Sequence, residues 1–159
     1  MKFLVDAMLG HVARWLRVLG MDTVDYRQCG VDDESLLEYA KESGRIFLTR
    51  DLNLYARAKK LGIHAILLSS ESIVDALAEL SRELGIPLEI DLGKTRCPIC
   101  NTPLKRKPSS EVRGIPEAIR RRFEYVYACE GCGKVYWTGS HYARMKETLE
   151  RARMRARQL

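Results

Sequence analysis

The sequence predicts an α/β protein in which a doubly wound parallel sheet is followed by a small zinc ribbon. Two observations lead to this prediction. Over residues 1–92, short apolar runs alternate with amphipathic stretches, as expected of strands joined by helical crossovers. Between residues 97 and 132, two C-x-x-C pairs occur in a segment rich in cations, a pattern typical of a structural zinc site.

The first 92 residues contain four predicted strands and four predicted helices. Apolar side chains at spacings of three and four residues predict the helices, and a glycine follows each of them as a helix terminator. The strands are predicted at 2–5, 23–26, 46–49 and 64–68, and the helices at 9–19, 33–43, 53–61 and 73–84. Because parallel strands need crossover connections of one hand, we expect helices on both faces of the sheet.

Composition narrows the class of protein. The 159 residues are 46% hydrophobic and 30% charged, which is typical of a folded globular chain. No uncharged apolar run approaches the ~20 residues that span a bilayer, and Asp6 excludes a signal-peptide core. We therefore expect a cytoplasmic protein with no membrane partner. Its five cysteines are then reduced thiols, metal ligands or catalytic groups rather than disulfides.

Charge is distributed unevenly along the chain. Residues 1–92 carry 11 Lys and Arg against 15 Asp and Glu, a net −4, whereas residues 93–159 carry 16 against 6, a net +10. We expect three segments: an α/β core at 1–92, a zinc ribbon at 93–142 and a basic helix or tail at 143–159. The basic part indicates a polyanionic partner, although a merely solvated surface has the same composition.

Three acidic residues stand where the carboxyl ends of predicted strands meet. Asp6 follows the first strand, Asp33 opens the helix after the second, and Asp51 follows the third by two residues. Ligands of such sheets bind at this edge, and clustered carboxylates are ligands of Mg²⁺ or Mn²⁺. The alternative is that Asp33 and Asp51 only cap their helices. No nucleotide-binding glycine motif or nucleophile elbow is present in the sequence, which disfavours a nucleotide-cofactor enzyme or an α/β-hydrolase.

The four paired cysteines predict one structural Zn²⁺. Each C-x-x-C pair supplies two thiolates from one turn, and 28 residues separate the pairs. Redox-active pairs are the alternative, but two matched pairs in a basic segment favour zinc. The ligands are Cys97, Cys100, Cys129 and Cys132, and Cys29 is left over.

Cations and aromatic side chains alternate in the ribbon segment. Arg121 lies in a run of three arginines, and Trp137 follows the second cysteine pair. Arginine binds phosphate and aromatic faces stack on unpaired bases, so both are candidates for RNA binding. The alternative is that the aromatic residues form the ribbon's own core, which we favour for Tyr125 and Tyr127.

Five ordered motifs resemble the Mut-seven C-terminal RNase domain family, which is regarded as PIN-like with an appended zinc ribbon. They are FLVDAMLGHVARWLRVLGMD, DDESLLEYA, GRIFLTRDLNL, CPICNTPL and CEGCGKVYWTGSH. The resemblance spans residues 2–145. It implies a PIN-like nuclease core that uses Mg²⁺ or Mn²⁺ to hydrolyse the phosphodiester bonds of RNA, leaving a 5′-phosphate.

The resemblance also implies residue roles. The catalytic and metal-binding acids correspond to Asp6, Asp33 and Asp51, with Asp32 as the alternative to Asp33. Where many PIN domains have a further acid, this chain has Asn53, which leaves open whether one or two metal ions bind.

The same motifs place further RNA-binding candidates. These are Arg14 and Arg17 in the first helix, Arg50 beside the third acid, and His141 beyond the ribbon. A structural histidine is an equally good interpretation of His141, and core packing is the alternative for Trp15.

We therefore predict a metal-dependent ribonuclease whose basic ribbon guides single-stranded RNA toward the acidic edge. The alternative is a non-catalytic RNA-binding module that retains the PIN-like fold. Both a monomer and a homodimer are compatible with these motifs.

Overall fold

The computed structural model describes residues 1–158. Seven strands lie at Lys2–Val5 (β1), Asp22–Val24 (β2), Ile46–Thr49 (β3), Ala65–Leu67 (β4), Lys105–Pro108 (β5), Tyr125–Ala128 (β6) and Val135–Tyr136 (β7). Seven α-helices lie at Gly10–Val18 (α1), Tyr26–Cys29 (α2), Asp33–Ser43 (α3), Leu52–Lys60 (α4), Ile73–Leu84 (α5), Glu117–Arg122 (α6) and Ser140–Gln158 (α7). Single turns of 3₁₀-helix precede α1 and follow β5.

The first four strands form one parallel sheet in the order β2-β1-β3-β4. Alternate residues face opposite sides, so Phe3 and Val5 point away from Leu4. One face is covered by α1, α5 and α7, and the other by α3 and α4. The predicted α/β class with helices on both faces is therefore confirmed.

The last three strands form a small antiparallel sheet in the order β5-β6-β7, with α6 inserted between β5 and β6. This sheet and the preceding loops carry the four paired cysteines. It has few buried aliphatic side chains, as expected if a metal ion organises it.

Helix α7 leaves the ribbon and packs against α5 of the core. Leu149 and Ala152 are fully enclosed in the same apolar cluster as the sheet, and Arg155 forms an ion pair with Asp75 at 2.9 Å. The basic pattern of this region predicted a solvated helix or tail. The structure shows that it is a helix from Ser140 onward, and that its apolar side completes the core.

The end of the second strand differs from the predicted element. The second strand ends at Val24, because Asp25 caps the short helix α2 through its side chain and the Asp25 amide donates to the Gln28 side chain.

Within residues 1–158, no helix has both the length and the apolar character that crossing a bilayer requires.

Candidate active site and zinc centre

Asp6 and Asp51 lie at the carboxyl ends of neighbouring strands and share one contact residue, Thr49. The Thr49 hydroxyl donates to Asp6 Oδ2 at 2.5 Å and accepts from the Asp51 amide at 3.0 Å. Because β1 and β3 are adjacent in the sheet, Thr49 holds the two loops together at this edge. The predicted convergence of these two acids is present in the fold.

Asp6 is the buried member of the acidic group, with 6% of its surface exposed. Its Oδ1 accepts a hydrogen bond from the Met8 amide at 3.0 Å. Burial raises the pKa of Asp6, and the nearby charges of Asp51 and Asp33 raise it further against the effect of its hydrogen bonds. A carboxylate held under these conditions favours a cation beside it.

Asp32 and Asp33 have different surroundings. Asp32 is the N-cap of α3, with its carboxylate accepting from the Ser35 amide at 3.0 Å and from the Ser35 hydroxyl at 2.8 Å. Asp33 follows in the first turn and makes only a distant ion pair, 3.6 Å from Arg57. Because Asp32 already serves the helix, Asp33 is the acid whose carboxylate is available to a ligand.

The carboxylates of Asp6, Asp33 and Asp51 do not form a compact set of metal ligands. Among residues 1–158, only the four paired cysteines bring three or more potential metal-binding atoms within 4.8 Å of one another. Direct ligands of one Mg²⁺ would be closer than this, since each lies at about 2.1 Å from the ion. In this arrangement, water would have to complete the contacts of at least one of the three acids, as is common for Mg²⁺.

Arg50 and Asn53 flank Asp51. Arg50 is partly buried and pairs with the exposed Glu71 at 3.0 Å, while its Nε lies buried without a hydrogen-bond partner among the described residues. Asn53 is exposed in the first turn of α4, and Asp51 caps that helix by accepting from the Leu54 amide at 3.1 Å. Arg50 is therefore a cation next to Asp51 in the chain whose guanidinium pairs with Glu71.

The four paired cysteines form a compact cluster. The Sγ atoms of Cys97 and Cys132 lie 3.7 Å apart, and those of Cys100 and Cys129 lie 3.3 Å apart. Sulfurs bound to one tetrahedral Zn²⁺ would be about 3.8 Å apart, whereas a disulfide requires about 2.05 Å. The cluster therefore fits a closed zinc site, and all five cysteines are free thiols in this structure.

A close backbone approach and a hydrogen bond suit the two cysteine turns to zinc binding. A Cβ at Gly131 would lie 2.5 Å from the Thr102 hydroxyl and 3.3 Å from the Cys100 sulfur, so the close approach of the two turns requires glycine there. Hydrogen bonding with Thr102 lowers the pKa of Cys100 to about 6, which favours the thiolate that binds zinc.

Arg17 was predicted to bind phosphate, and the structure corrects this prediction. Arg17 is fully buried, with Nε donating to the Thr23 carbonyl at 2.9 Å and Nη1 donating to the Pro98 carbonyl at 2.9 Å. Its remaining nitrogen lies 3.4 Å from the Asp25 carboxylate. Arg17 thus joins the core to the first cysteine turn and is not accessible to RNA.

Asp25 has a structural role that the sequence pattern did not indicate. It follows β2 just as Asp6 follows β1, but the predicted strand extended over it. Burial alone would raise the pKa of Asp25, but hydrogen bonds from Arg27 and the charges of Arg27 and Arg17 lower it overall. Asp25 is therefore an ionised partner of Arg17 at the junction with the ribbon.

Three predicted RNA-binding residues line one cavity of about 740 Å³: Arg14, Trp137 and His141. We call this cavity the α1–ribbon groove, because it lies between α1, the ribbon and the start of α7. Arg121 is not part of it. That residue is exposed on α6, 3.6 Å from Glu117.

Comparison with known proteins gives one match. The family model described as the Mut7-C RNAse domain matches residues 1–149, most of the chain. No curated protein and no solved structure matches the chain. The family match includes the acidic edge, the cysteine cluster and the groove.

Proposed function

Since the chain belongs to the Mut7-C RNAse domain family, we propose that it is a metal-dependent ribonuclease acting at the carboxyl edge of the parallel sheet. The family makes RNA the expected substrate class. The finer proposal is a PIN-like site that uses Mg²⁺ or Mn²⁺ to hydrolyse single-stranded RNA, with a structural Zn²⁺ in the ribbon.

The observation that carries this proposal is the environment of Asp6. Its carboxylate is almost fully buried, is oriented by Thr49 and Met8, and lies close enough to Asp51 and Asp33 for their charges to raise its pKa. A fold gains little stability from such an arrangement, because burial and like charges both oppose ionisation. Perturbed carboxyl groups of this kind are concentrated at functional sites.

The protein groups at this edge have separable roles. Asp6, Asp33 and Asp51 would hold the cation, and Thr49 fixes the relative position of the first and last of these. Arg50 would contact a phosphate oxygen. When bound, the ion supplies a Lewis acid that activates water and offsets the charge that develops on phosphate.

The distribution of charge supports separate roles for the two parts of the chain, with RNA binding in the basic part and cleavage at the acidic edge. Residues 1–92 carry a net −4, and residues 93–159 carry a net +10. RNA would be attracted by the basic part and would reach the acidic edge only where a divalent cation offsets the carboxylates.

Cleavage of a labelled single-stranded RNA with and without added Mn²⁺ tests the proposal. We expect Mn²⁺-dependent cleavage that falls at least about 100-fold in Asp33→Asn, since even outer-shell changes at metal sites cost 10–100-fold. Asp32→Asn is the matched control, because asparagine caps a helix as well as aspartate and activity should persist.

Two observations favour the alternative of a non-catalytic RNA-binding module. The three acids do not converge within 4.8 Å, and Asn53 stands where a further acid is common in the PIN-like pattern. Metal-independent RNA binding without cleavage, equal in Asp33→Asn and the unaltered protein, would establish that alternative and end the catalytic proposal.

A further inference from the structure

The α1–ribbon groove is a large cavity that the proposed catalytic edge does not use. Its volume of about 740 Å³ lies within the range of small-molecule sites, so a nucleotide fits its size class. The lining is mostly apolar. Helix α1 contributes one part of it, and the ribbon with the start of α7 contributes another part that is distant in sequence.

Aromatic side chains form the walls of the groove. Trp15, Trp137 and Tyr142 line it and are only half-buried, so part of each ring is accessible. Gly139 leaves room for the Trp137 indole to lie against the backbone, since a Cβ at Gly139 would lie 3.2 Å from Trp137 Cδ1. Partly exposed rings in fixed positions are suited to stacking on unpaired bases.

The groove has the electrostatic character that RNA requires. Four exposed basic or imidazole side chains border it: His11, Arg14, Lys134 and His141. Among the described residues, no aspartate or glutamate lines it. The groove therefore combines partly accessible aromatic side chains with cationic groups, and no carboxylate of the described residues lines it to repel phosphate.

The groove shares helix α1 with the acidic edge. Helix α1 begins four residues after Asp6, and His11 in its first turn lines the groove. The two walls are fixed to each other, because the Arg96 amide donates to the Arg17 carbonyl at 2.9 Å and the Thr95 hydroxyl donates to the Val18 carbonyl at 2.9 Å. The shape of the groove is thus set by the fold.

We propose that the α1–ribbon groove binds unpaired nucleotides of an RNA strand next to the segment that is cleaved. A base stacks on Trp137, and the adjoining phosphates contact Arg14 and Lys134. The choice of RNA as occupant rests on the proposed ribonuclease function. The groove thereby selects unpaired RNA, because the face of a base inside a duplex is covered by its stacked neighbours and cannot contact the indole.

Binding to a non-cleavable complex tests this proposal apart from catalysis. The Asp6→Asn protein is titrated, without added divalent cations, into a fluorescently labelled single-stranded RNA, and quenching of tryptophan emission is followed in parallel. Adding Trp137→Leu should weaken binding about 5- to 150-fold, the range for loss of one stacked base. Trp137→Phe should recover most of the affinity, since it restores an aromatic face.

Tyr125→Leu is the matched control, because Tyr125 is an exposed ribbon aromatic outside the groove, stacked on Arg106 at 4.4 Å. It should change binding less than Trp137→Leu. Zinc content and circular dichroism must match among the variants. Equal affinities for the Trp137→Leu and Tyr125→Leu proteins would overturn the proposal.

Competition identifies the occupant. Unlabelled single-stranded RNA should displace the probe far better than duplex RNA or adenosine monophosphate. If the mononucleotide competes as well as the strand, the groove is a free-nucleotide site and the proposal fails. If no nucleic acid quenches the tryptophans and the protein elutes as a dimer, the groove is a protein interface instead. Cleavage can be absent while groove binding persists, so the two proposals fail separately.

Discussion

Asp6 is the residue at which burial and charge conflict most directly. Its carboxylate is enclosed beside two other acids, and burial is the main reason that its pKa is raised above the ordinary value of 3.8. The folded protein therefore retains a proton that the unfolded chain releases. Stability from this group is present at low pH and is lost as pH rises through the folded pKa.

This sign leads to a prediction for Asp6→Asn. Without added divalent cations, the free energy of unfolding of the variant should increase relative to the unaltered protein as pH rises from about 4 to about 7. Added Mn²⁺ should then stabilise the unaltered protein and not the variant. Urea unfolding across a pH series measures both effects. A variant that is less stable at every pH would show that the ionised carboxylate supports the fold.

The acids also show what sequence reasoning can achieve at the scale of single residues. The alternation of strands and helices placed Asp6, Asp33 and Asp51 at one edge, because parallel strands end together. It left Asp32 and Asp33 unresolved, since the difference depends on which side chain reaches the Ser35 amide. The family resemblance implied an RNA-binding role for Arg17, whereas in the fold Asp25 and two carbonyls enclose this side chain.

At the scale of elements, Arg17 joins α1 to the first cysteine turn. Arg17→Met should destabilise the protein by about 3–5 kcal/mol, because it leaves Asp25 buried with one partner fewer and frees the Pro98 carbonyl. Arg27→Met is the comparison: Arg27 holds the same buried carboxylate at 2.7 Å, so its loss should also destabilise the protein, but Arg27 is 46% exposed and does not bond the Pro98 carbonyl that Arg17 holds.

Denaturant unfolding gives these free energies, and the rate of zinc transfer to a coloured chelator reports on the cysteine turn. Arg17→Met should release zinc faster than Arg27→Met does. Equal stabilities and equal release rates would show that the Arg17 contacts do not support the ribbon.

The cysteine cluster makes a second prediction at this scale. Protein purified without added zinc should contain about one Zn²⁺ per chain, as a four-thiolate site requires. A thiol reagent should then modify only Cys29, and slowly, because burial raises the pKa of that thiol. After zinc removal, all five cysteines should react. Rapid reaction of the exposed Cys132 in zinc-loaded protein would contradict the assignment.

Elements were predicted well where a local pattern decides them. Helix α5 and strand β3 match their predicted bounds, since apolar spacing and a terminal glycine specify them. Short elements such as α2 depend on one capping interaction and were missed. The ribbon strands depend on the metal ligands more than on their own propensity. The division of the chain near residues 92 and 142 remains a prediction.

On the scale of the whole molecule, the ribbon should supply most of the attraction for RNA. Arg121→Gln with Arg122→Gln removes two exposed charges from α6. If both meet phosphate, the slope of log affinity against log salt should decrease by about 1.4, at ~0.7 per contact. Arg155→Gln is the control, because Arg155 is paired with Asp75. Equal slopes for all three proteins would place the electrostatic contacts elsewhere.

A fragment ending at residue 92 is unsuitable for this comparison. It lacks Leu149 and Ala152, so it would expose the apolar surface of α5 that these residues cover. Its binding would report a damaged core as well as a missing ribbon. Substitutions within the full chain avoid this confusion.

The packing of α7 against α5 also affects the order in which the protein matures during translation. The four parallel strands emerge from the ribosome long before Leu149 and Ala152, which close one face of their core. All four zinc ligands emerge in between. A nascent chain therefore passes through a stage in which the ribbon is complete and can take up its metal, while the older part of the chain still shows an apolar face. During that interval, the newly made protein should depend most on chaperones.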